Sequence, residues 1–487
     1  MKRIIFLVWV FSVFSLNISC FSQKSENNDE SQSKGVKIKV EAKGWENQEV
    51  IFGSHYLNKN KFLDTVKTDA NGVAYITSDS LLPTGTYFIV FPKKTFVEVI
   101  IDNKNRNFSI SADLNDFMNT VQVSGSDENQ LFVEYQRFSY ENRNKMRSFS
   151  QRMQANRSNK DSINAINRDI ERFNEYMNQK RDEYIRRAKG TFFADLLYAL
   201  KEVVVPDTFT VDASLPPEKR DSALRMKKYL YYKNHFFDYV DFSDPRFLHT
   251  TVFANKLNKF FTQVAYNNPD SIVHDALKIL KQAEKNKTTL DALARLMINN
   301  FENSGRWANE KAFIAIAENY FLNGKVKTGE AFKQRLQFRV NTMKKLLVGE
   351  KAPVIPLAEM NSGKVFNFEK IDAPLMILYF WSADCHHCQE FTPGFYKLYE
   401  KYKSKGLKVV AVTATNDFDN WKQYVAEQGY TDWINAYYAG KNYGELIMIY
   451  DIFMTPRLYV LDKDKKIIAK DLSEKALEWL LHSKLDK

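Results

Sequence analysis

The sequence predicts a multidomain chain with an N-terminal antiparallel β-sandwich, a middle all-α helical region and a C-terminal α/β fold. Three observations carry this. Short alternating or apolar runs broken by turn signals fill residues 36–125, as in a sandwich. Residues 126–347 place apolar side chains at three- and four-residue spacing, the helical period. Between 348 and 487, short apolar runs of buried-strand type are separated by amphipathic stretches.

The first residues stand apart from the fold. Lys2-Arg3 followed by the apolar run Ile4–Phe14 is a basic segment and a hydrophobic segment too short to span a bilayer. That is the pattern of an export signal, over residues 1–22. Leu16-Asn17-Ile18-Ser19-Cys20 resembles a bacterial lipobox and makes Cys20 the expected lipid-attachment residue, with Asn17 where an aliphatic residue is usual. Ordinary cleavage nearby, for instance after Ser22, is the alternative. Residues 23–35 are polar and aperiodic, as a flexible tether is. No later segment is apolar enough to cross a membrane.

In the β region the expected strands include Val36–Val40, Val50–Phe52, Val73–Ile76, Thr86–Phe91, Phe96–Ile101, Phe108–Ile110 and Thr120–Val123. Asp69-Ala70-Asn71-Gly72 and Pro83-Thr84-Gly85 supply turns. His55 stands alone and reads as a surface or core histidine. Residues Leu131–Lys189 read as one or two amphipathic helices with a break near Ser158-Asn159. After interruptions at Val205-Pro206 and Leu215-Pro216-Pro217, further helices are expected at Ala223–Val240, Phe253–Val264, Ser271–Glu284, Thr288–Phe301 and Glu310–Leu322. His235, His249 and His274 lie on separate elements without metal-ligand spacing and read as structural.

The chemistry lies in the last domain. Met376–Trp381 is one buried strand, Ser382-Ala383-Asp384 a tight turn, and Cys385-His386-His387-Cys388 opens a helix continued by Phe391, Phe395, Leu398 and Tyr402. A cysteine in the first turn faces unpaired N–H groups and the positive dipole end, which favour thiolate. The second, three residues on, lies on the same face and can close a disulfide with it. The chain has three cysteines, one of them in or beside the signal, so the exported part keeps one adjacent pair and no stray thiol. Leu407–Thr413 reads as a second strand, Asp419–Gln428 and Tyr443–Tyr450 as helices, Arg457–Leu461 and Lys466–Ala469 as strands, and Glu474–Leu481 as a closing helix. Pro456 after Thr455, entering a strand, fits a cis bond.

These residues carry a resemblance. The segment from about Val348 onward is similar to thioredoxin-fold proteins, most of all TlpA/ResA-like exported thiol–disulfide oxidoreductases, through Phe380-Trp381-x-x-x-Cys385-x-x-Cys388, Pro393, Thr455-Pro456 and the opening Val348–Pro353. The β region, and the helical region from about Asp244, also resemble domains of unknown function that precede such domains. The resemblance implies a thioredoxin fold and a reductase of substrate protein disulfides fed by a membrane electron-donor protein. It also implies a substrate chain pairing beside Thr455-Pro456, and no cofactor beyond the redox-active disulfide Cys385–Cys388. With the signal, it implies an exported protein of the periplasm, or a lipoprotein anchored in the outer membrane of a Gram-negative bacterium. Membrane contact would then run only through a lipid at Cys20.

The pattern departs from the family at three places. Asp384 replaces the Trp that usually precedes the first cysteine. Phe391 stands where a Glu often follows the second, with Glu390 one position early. Tyr379 falls where ordinary thioredoxins bury an Asp. Asp384 or Glu390 would have to serve as proton-handling carboxylate, against the plainer reading of both as solvated acids.

In the expected exchange Cys385 is the nucleophile and Cys388 the resolving thiol, with Trp381, Asp384, His386, His387, Glu390, Thr455 and Pro456 around them. His387 favours thiolate and an oxidising disulfide, while Asp384 opposes it. A peroxidase of the peroxiredoxin kind would need Pro seven residues before its cysteine, where Leu378 stands. A metal site from Cys-His-His-Cys fails because neighbouring helical residues point about 100° apart. The remaining rival is a non-enzymatic cell-envelope binding or scaffold lipoprotein with an accessory thioredoxin domain. The net charge of +11, or +9 without Lys2 and Arg3, comes with no nucleic-acid-reading motif, and for an exported chain nucleic acid is excluded as a partner.

Overall fold

The computed structural model describes residues 35–92, 95–265, 268–302 and 309–486. The expected export signal, Cys20 and nearly all of the tether lie outside them. Contacts group the chain into two compact units, Met1–Asn267 with Lys278–Leu296, and Asn268–Leu277 with Met297–Lys487. Among the described residues no helix is long and apolar enough to cross a membrane.

The first unit opens with β1 (Val36–Lys43), β2 (Glu49–Tyr56), β3 (Lys59–Lys67), β4 (Val73–Ser78), β5 (Gly85–Phe91), β6 (Thr95–Ile101) and β7 (Asn107–Asp113). A short helix α1 (Phe117–Thr120) and strand β8 (Gln122–Ser124) follow. The strands form two four-stranded sheets, β4-β1-β7-β8 and β3-β2-β5-β6. Pairing is antiparallel except between β1 and β7, which run parallel with Val40 opposite Ile110. Alternate residues such as Val36, Ile38 and Val40 of β1 and Val97, Val99 and Ile101 of β6 fill one core with Trp45, as period-two burial requires. Strand β3 was not among the expected strands. Its Lys59–Val66 stretch carries no buried face, because it is an outer strand held by backbone pairing with β2.

The Leu131–Lys189 stretch forms two helices, α2 (Asp127–Ala155) and α3 (Lys160–Arg187), parted near Ser158-Asn159, with Asn159 capping the second through Ser162 N–H. Helix α2 also closes a sheet edge. Asn129 accepts from Ile100 N–H at 2.6 Å and donates to Ile100 O at 2.8 Å. Gln136, two turns on, does the same for Glu98 at 3.0 and 2.9 Å. Side-chain amides thus satisfy backbone groups that an edge strand would leave open.

Helices α4 (Phe192–Ala199), α5 (Pro217–His235) and α6 (Val252–Lys259) complete this part of the chain. Helix α5 starts before the expected Ala223 and ends before Val240. Pro217 occupies its first turn, where a missing N–H costs nothing, so the double proline opens a helix there. The expected Phe253–Val264 and Glu310–Leu322 helices both end in π-helical turns, at Phe260–Val264 and Ala317–Leu322. His55 is buried between Asn60 and Glu98, each at 2.9 Å.

Helices α7 (Pro269–Ala283) and α8 (Lys287–Glu302) come next, then α9 (Glu310–Ile316) and α10 (Glu330–Lys345). The rest of the chain is an α/β domain: β9 (Leu357–Glu359), β10 (Val365–Phe366), β11 (Leu375–Trp381), α11 (His386–Tyr402), β12 (Leu407–Thr413), α12 (Phe418–Gln428) and β13 (Ile434–Tyr438). It closes with α13 (Tyr443–Tyr450), β14 (Arg457–Asp462), β15 (Ile467–Lys470) and α14 (Glu474–Leu485). The strands make one seven-stranded sheet, β10-β9-β13-β12-β11-β14-β15. This is the thioredoxin-like arrangement expected from the sequence.

Strand β11 is central, parallel to β12 and antiparallel to β14. Every residue of it is buried because both faces are covered. Ile377, Tyr379 and Trp381 join α11, α12 and α14 in one core. Met376, Leu378 and Phe380 join α13 in the other.

Candidate active site

Trp381 ends β11, and residues 382–384 turn the chain so that Cys385 becomes the N-cap of α11. Its backbone is extended (φ −85°, ψ 114°) and its sulfur accepts Cys388 N–H at 3.3 Å. The sulfur therefore takes the place usually held by a Ser or Asp oxygen, at the positive end of a 17-residue helix. From the other side Thr455 O accepts the Cys385 thiol at 3.2 Å. Both cysteines are free thiols; Cys385 is half-buried and Cys388 fully buried.

The two thiols are driven apart in acidity. Burial works to raise the Cys385 pKa, but the side chains of Cys388 and Thr455 and the N–H groups of Cys388 and His387 outweigh it, and the thiol lies below its ordinary value. Burial pushes Cys388 up to about 12, reinforced by the neighbouring Cys385 sulfur. The arrangement provides one accessible sulfur that ionises easily and one enclosed sulfur that holds its proton.

The position under Cys388 is occupied by Tyr379, whose hydroxyl lies 2.7 Å from Thr392 Oγ1. Thr392 donates to Cys388 O at 2.6 Å. Burial raises the Tyr379 pKa far above the ordinary tyrosine value, so the phenol stays neutral. Phe391 packs against the same core, 6.1 Å from the Tyr379 ring.

The remaining expected residues divide into inner and outer ones. Trp381 is buried beside Tyr379. Asp384 is exposed and accepts from Asn420 at 2.6 Å. Glu390 lies on the surface between two imidazoles, His386 at 3.2 Å and His387 at 3.4 Å. Both acids thus have the position of solvated carboxylates. His387 reaches Cys385 through its backbone N–H, while its ring, 80% exposed, turns to Glu390. The groups that favour the Cys385 thiolate are the side chains of Cys388 and Thr455 and the main-chain N–H groups of Cys388 and His387.

Thr455-Pro456 is a cis peptide. The loop 451–457 that bears it begins at buried Asp451, in the left-handed conformation (φ 55°), and ends at Arg457, whose Nη2 is 3.4 Å from Asp451 Oδ2. Sequence reasoning passed over Thr392, Asp451 and Arg457. The available signal was an arginine directly after Pro456 at the head of an otherwise apolar strand, a position where a charge needs a partner.

Comparison with known proteins gives a consistent picture. Residues 374–467 match the thioredoxin-like family. Residues 209–345 and 36–132 match two domains of unknown function, DUF5106 and DUF4369. The chain is similar to the thiol-disulfide oxidoreductase ResA of Bacillus thuringiensis, 27% identical over 136 residues, which are 28% of this chain and 76% of that protein. The ResA of Bacillus anthracis is 26% identical over the same length. Among solved structures, a domain of a possible thiol-disulfide isomerase from Cytophaga hutchinsonii is 34% identical, covering 28% of this chain and 92% of that one, with a TM-score of 0.27. A thioredoxin-like protein from Bacteroides caccae is 21% identical, covering 57% of this chain and 99% of that one, with a TM-score of 0.47.

Proposed function

We propose that the chain, whose C-terminal domain matches the thioredoxin-like family and is similar to the thiol-disulfide oxidoreductase ResA, is a thiol–disulfide oxidoreductase that reduces disulfides of exported proteins through Cys385 and Cys388. The observation that carries this reading is the asymmetry of the pair: the Cys385 sulfur caps a helix beside Thr455, while Cys388 is sealed in the core.

The Cys385 thiolate attacks one sulfur of the substrate disulfide. That bond breaks, a mixed disulfide forms, and the departing sulfur takes a proton. Cys388 then gives up its proton and attacks Cys385, releasing the second substrate sulfur as a thiol. Two electrons and two protons have passed to the substrate, and Cys385–Cys388 is left as a disulfide. A membrane electron-donor protein of dithiol type returns it to the reduced form. The backbone at Thr455-Pro456 pairs with the substrate chain during the exchange. Export, with a lipid on Cys20 holding the chain at the cell envelope, belongs to the same reading.

Cys388→Ser tests the order of attack. The variant is expected to accumulate mixed disulfides between Cys385 and substrate proteins, and Cys385→Ser to accumulate none; trapping through Cys388 instead would reverse the roles. The direction of transfer is read from the reduction potential of the pair. A value near thioredoxin's, about −270 mV, supports a reductase, and one at about −120 to −180 mV an oxidase or isomerase. A pair that never cycles would leave the scaffold reading.

A further inference from the structure

The loop that brings Thr455 to Cys385 is gripped from outside the thioredoxin-like segment. Arg339 of α10 forms an ion pair with Asp451 at the start of the loop. Its guanidinium also lies 5.0 Å over the ring of Phe453 and 3.4 Å from Glu302. One turn further along α10, Thr342 donates to Met448 O at 3.3 Å. At the other end of the loop, Arg457 meets Asp471 at 2.9 Å and approaches Glu310 of α9 at 3.9 Å. Glu310 pairs in turn with Lys470, which donates to Leu346 O at 2.8 Å.

This is a desolvated network. The Arg339 and Asp451 side chains are only 13% and 7% exposed, so removing one charge leaves the other buried with only its longer contact, Arg457 for Asp451 and Glu302 for Arg339, each at 3.4 Å. Asp451 sits where a helix usually ends in Gly or Asn; an aspartate tolerates the left-handed backbone and adds the carboxylate that Arg339 needs. Between the anchors the loop exposes Phe453 and Met454 and presents Thr455 to the Cys385 sulfur. A loop with exposed apolar side chains holds one position only if its ends are fixed.

We propose that Arg339 is a positioning residue for the exchange site: through Asp451 it fixes the loop beside which the substrate chain pairs. This rests on the disulfide-reductase reading above. It also gives a task to the last helix of the segment that matches DUF5106.

The test compares the exported chain with Arg339→Met, Arg339→Lys and Asp451→Asn, using two oxidants. One is a disulfide-linked peptide, which pairs with the loop. The other is 5,5′-dithiobis(2-nitrobenzoate), which needs only the thiolate. Arg339→Met and Asp451→Asn are expected to raise KM for the peptide about tenfold, with reaction toward the small disulfide held within about twofold. Amide hydrogen exchange at Ile452–Thr455 should quicken about tenfold while β11 is unchanged. Arg339→Lys should recover most of both effects. Unchanged exchange in the loop, or equal losses toward both oxidants, would overturn the proposal. A wild-type chain that reduces neither disulfide would overturn the reductase reading instead, and loop exchange in Arg339→Met would still decide whether Arg339 fixes the loop.

Discussion

The hydroxyl of Tyr379 lies 2.7 Å from Oγ1 of Thr392, and Thr392 gives its single proton to the Cys388 carbonyl 2.6 Å away. The direction of the first bond follows: Tyr379 donates and Thr392 accepts. A neutral donor thus stands where ordinary thioredoxins bury an ionisable acid. The backbone carbonyl of the resolving cysteine has a polar support there, supplied by two hydroxyls.

Tyr379→Phe keeps the ring and removes the donor, leaving a buried acceptor on Thr392 without a partner. The expected cost is about 1–2 kcal/mol. It should appear as a lower urea midpoint at unchanged slope for the C-terminal domain, and an unaltered midpoint would show that the bond contributes nothing.

Alkylation of the reduced pair should separate the two thiols by pH. Cys385 is shifted down from 9.0, so its reaction with iodoacetamide should half-saturate below that value. Cys388 should remain protonated and unreactive until about pH 12. A depressed folded-state pKa means that the ionised Cys385 stabilises the reduced fold above the ordinary value and that this contribution fades as pH falls through the depressed one. Labelling of Cys388 before Cys385 at neutral pH would contradict the assignment.

His387 offers a sharper contrast. Its N–H favours the Cys385 thiolate while its ring lies on Glu390. His387→Ala should therefore leave the alkylation midpoint of Cys385 where it is, whereas His387→Pro, which lacks the N–H, should raise it. A large upward shift in the alanine variant would return the imidazole to the role that sequence spacing assigned it.

In the β region, His55 is raised from 6.5: burial works to lower it, and the bonds from Glu98 and Asn60 outweigh burial. A raised folded-state pKa gives stability that is complete below the unfolded value and lost as pH climbs through the folded one. Hydrogen-exchange protection of β2 and β5 should accordingly weaken as pH rises above 6.5, after correction for intrinsic exchange. His55→Gln should abolish the trend, and a profile identical to wild type would remove His55 as its source.

Much of this was legible along the chain because local pattern and packing agree. Strand β11 reads as continuous apolar sequence since both its faces are covered, and α11 follows at once with its cysteines in the first turn. Strands β9, β10 and β13 escaped notice because two to five residues carry too little period to read. Strand β3 escaped because none of its residues is fully buried, so no alternation marks it. The partners of Asp451 were hidden for another reason. Arg339 lies more than a hundred residues upstream, and an arginine on an amphipathic helix looks solvated until the fold shows what faces it. His387 was read for its ring, and the spacing could not reveal that the ring turns to Glu390.

The parallel pairing of β1 with β7 has a consequence for the order of events during synthesis. Val40 cannot find Ile110 until all the intervening strands have been made. Strand β1 must therefore wait, with one side paired to β4 and the other open, for β7. Contacts so distant along the chain are slow to close. The N-terminal domain thus stays open to mispairing longest at β1.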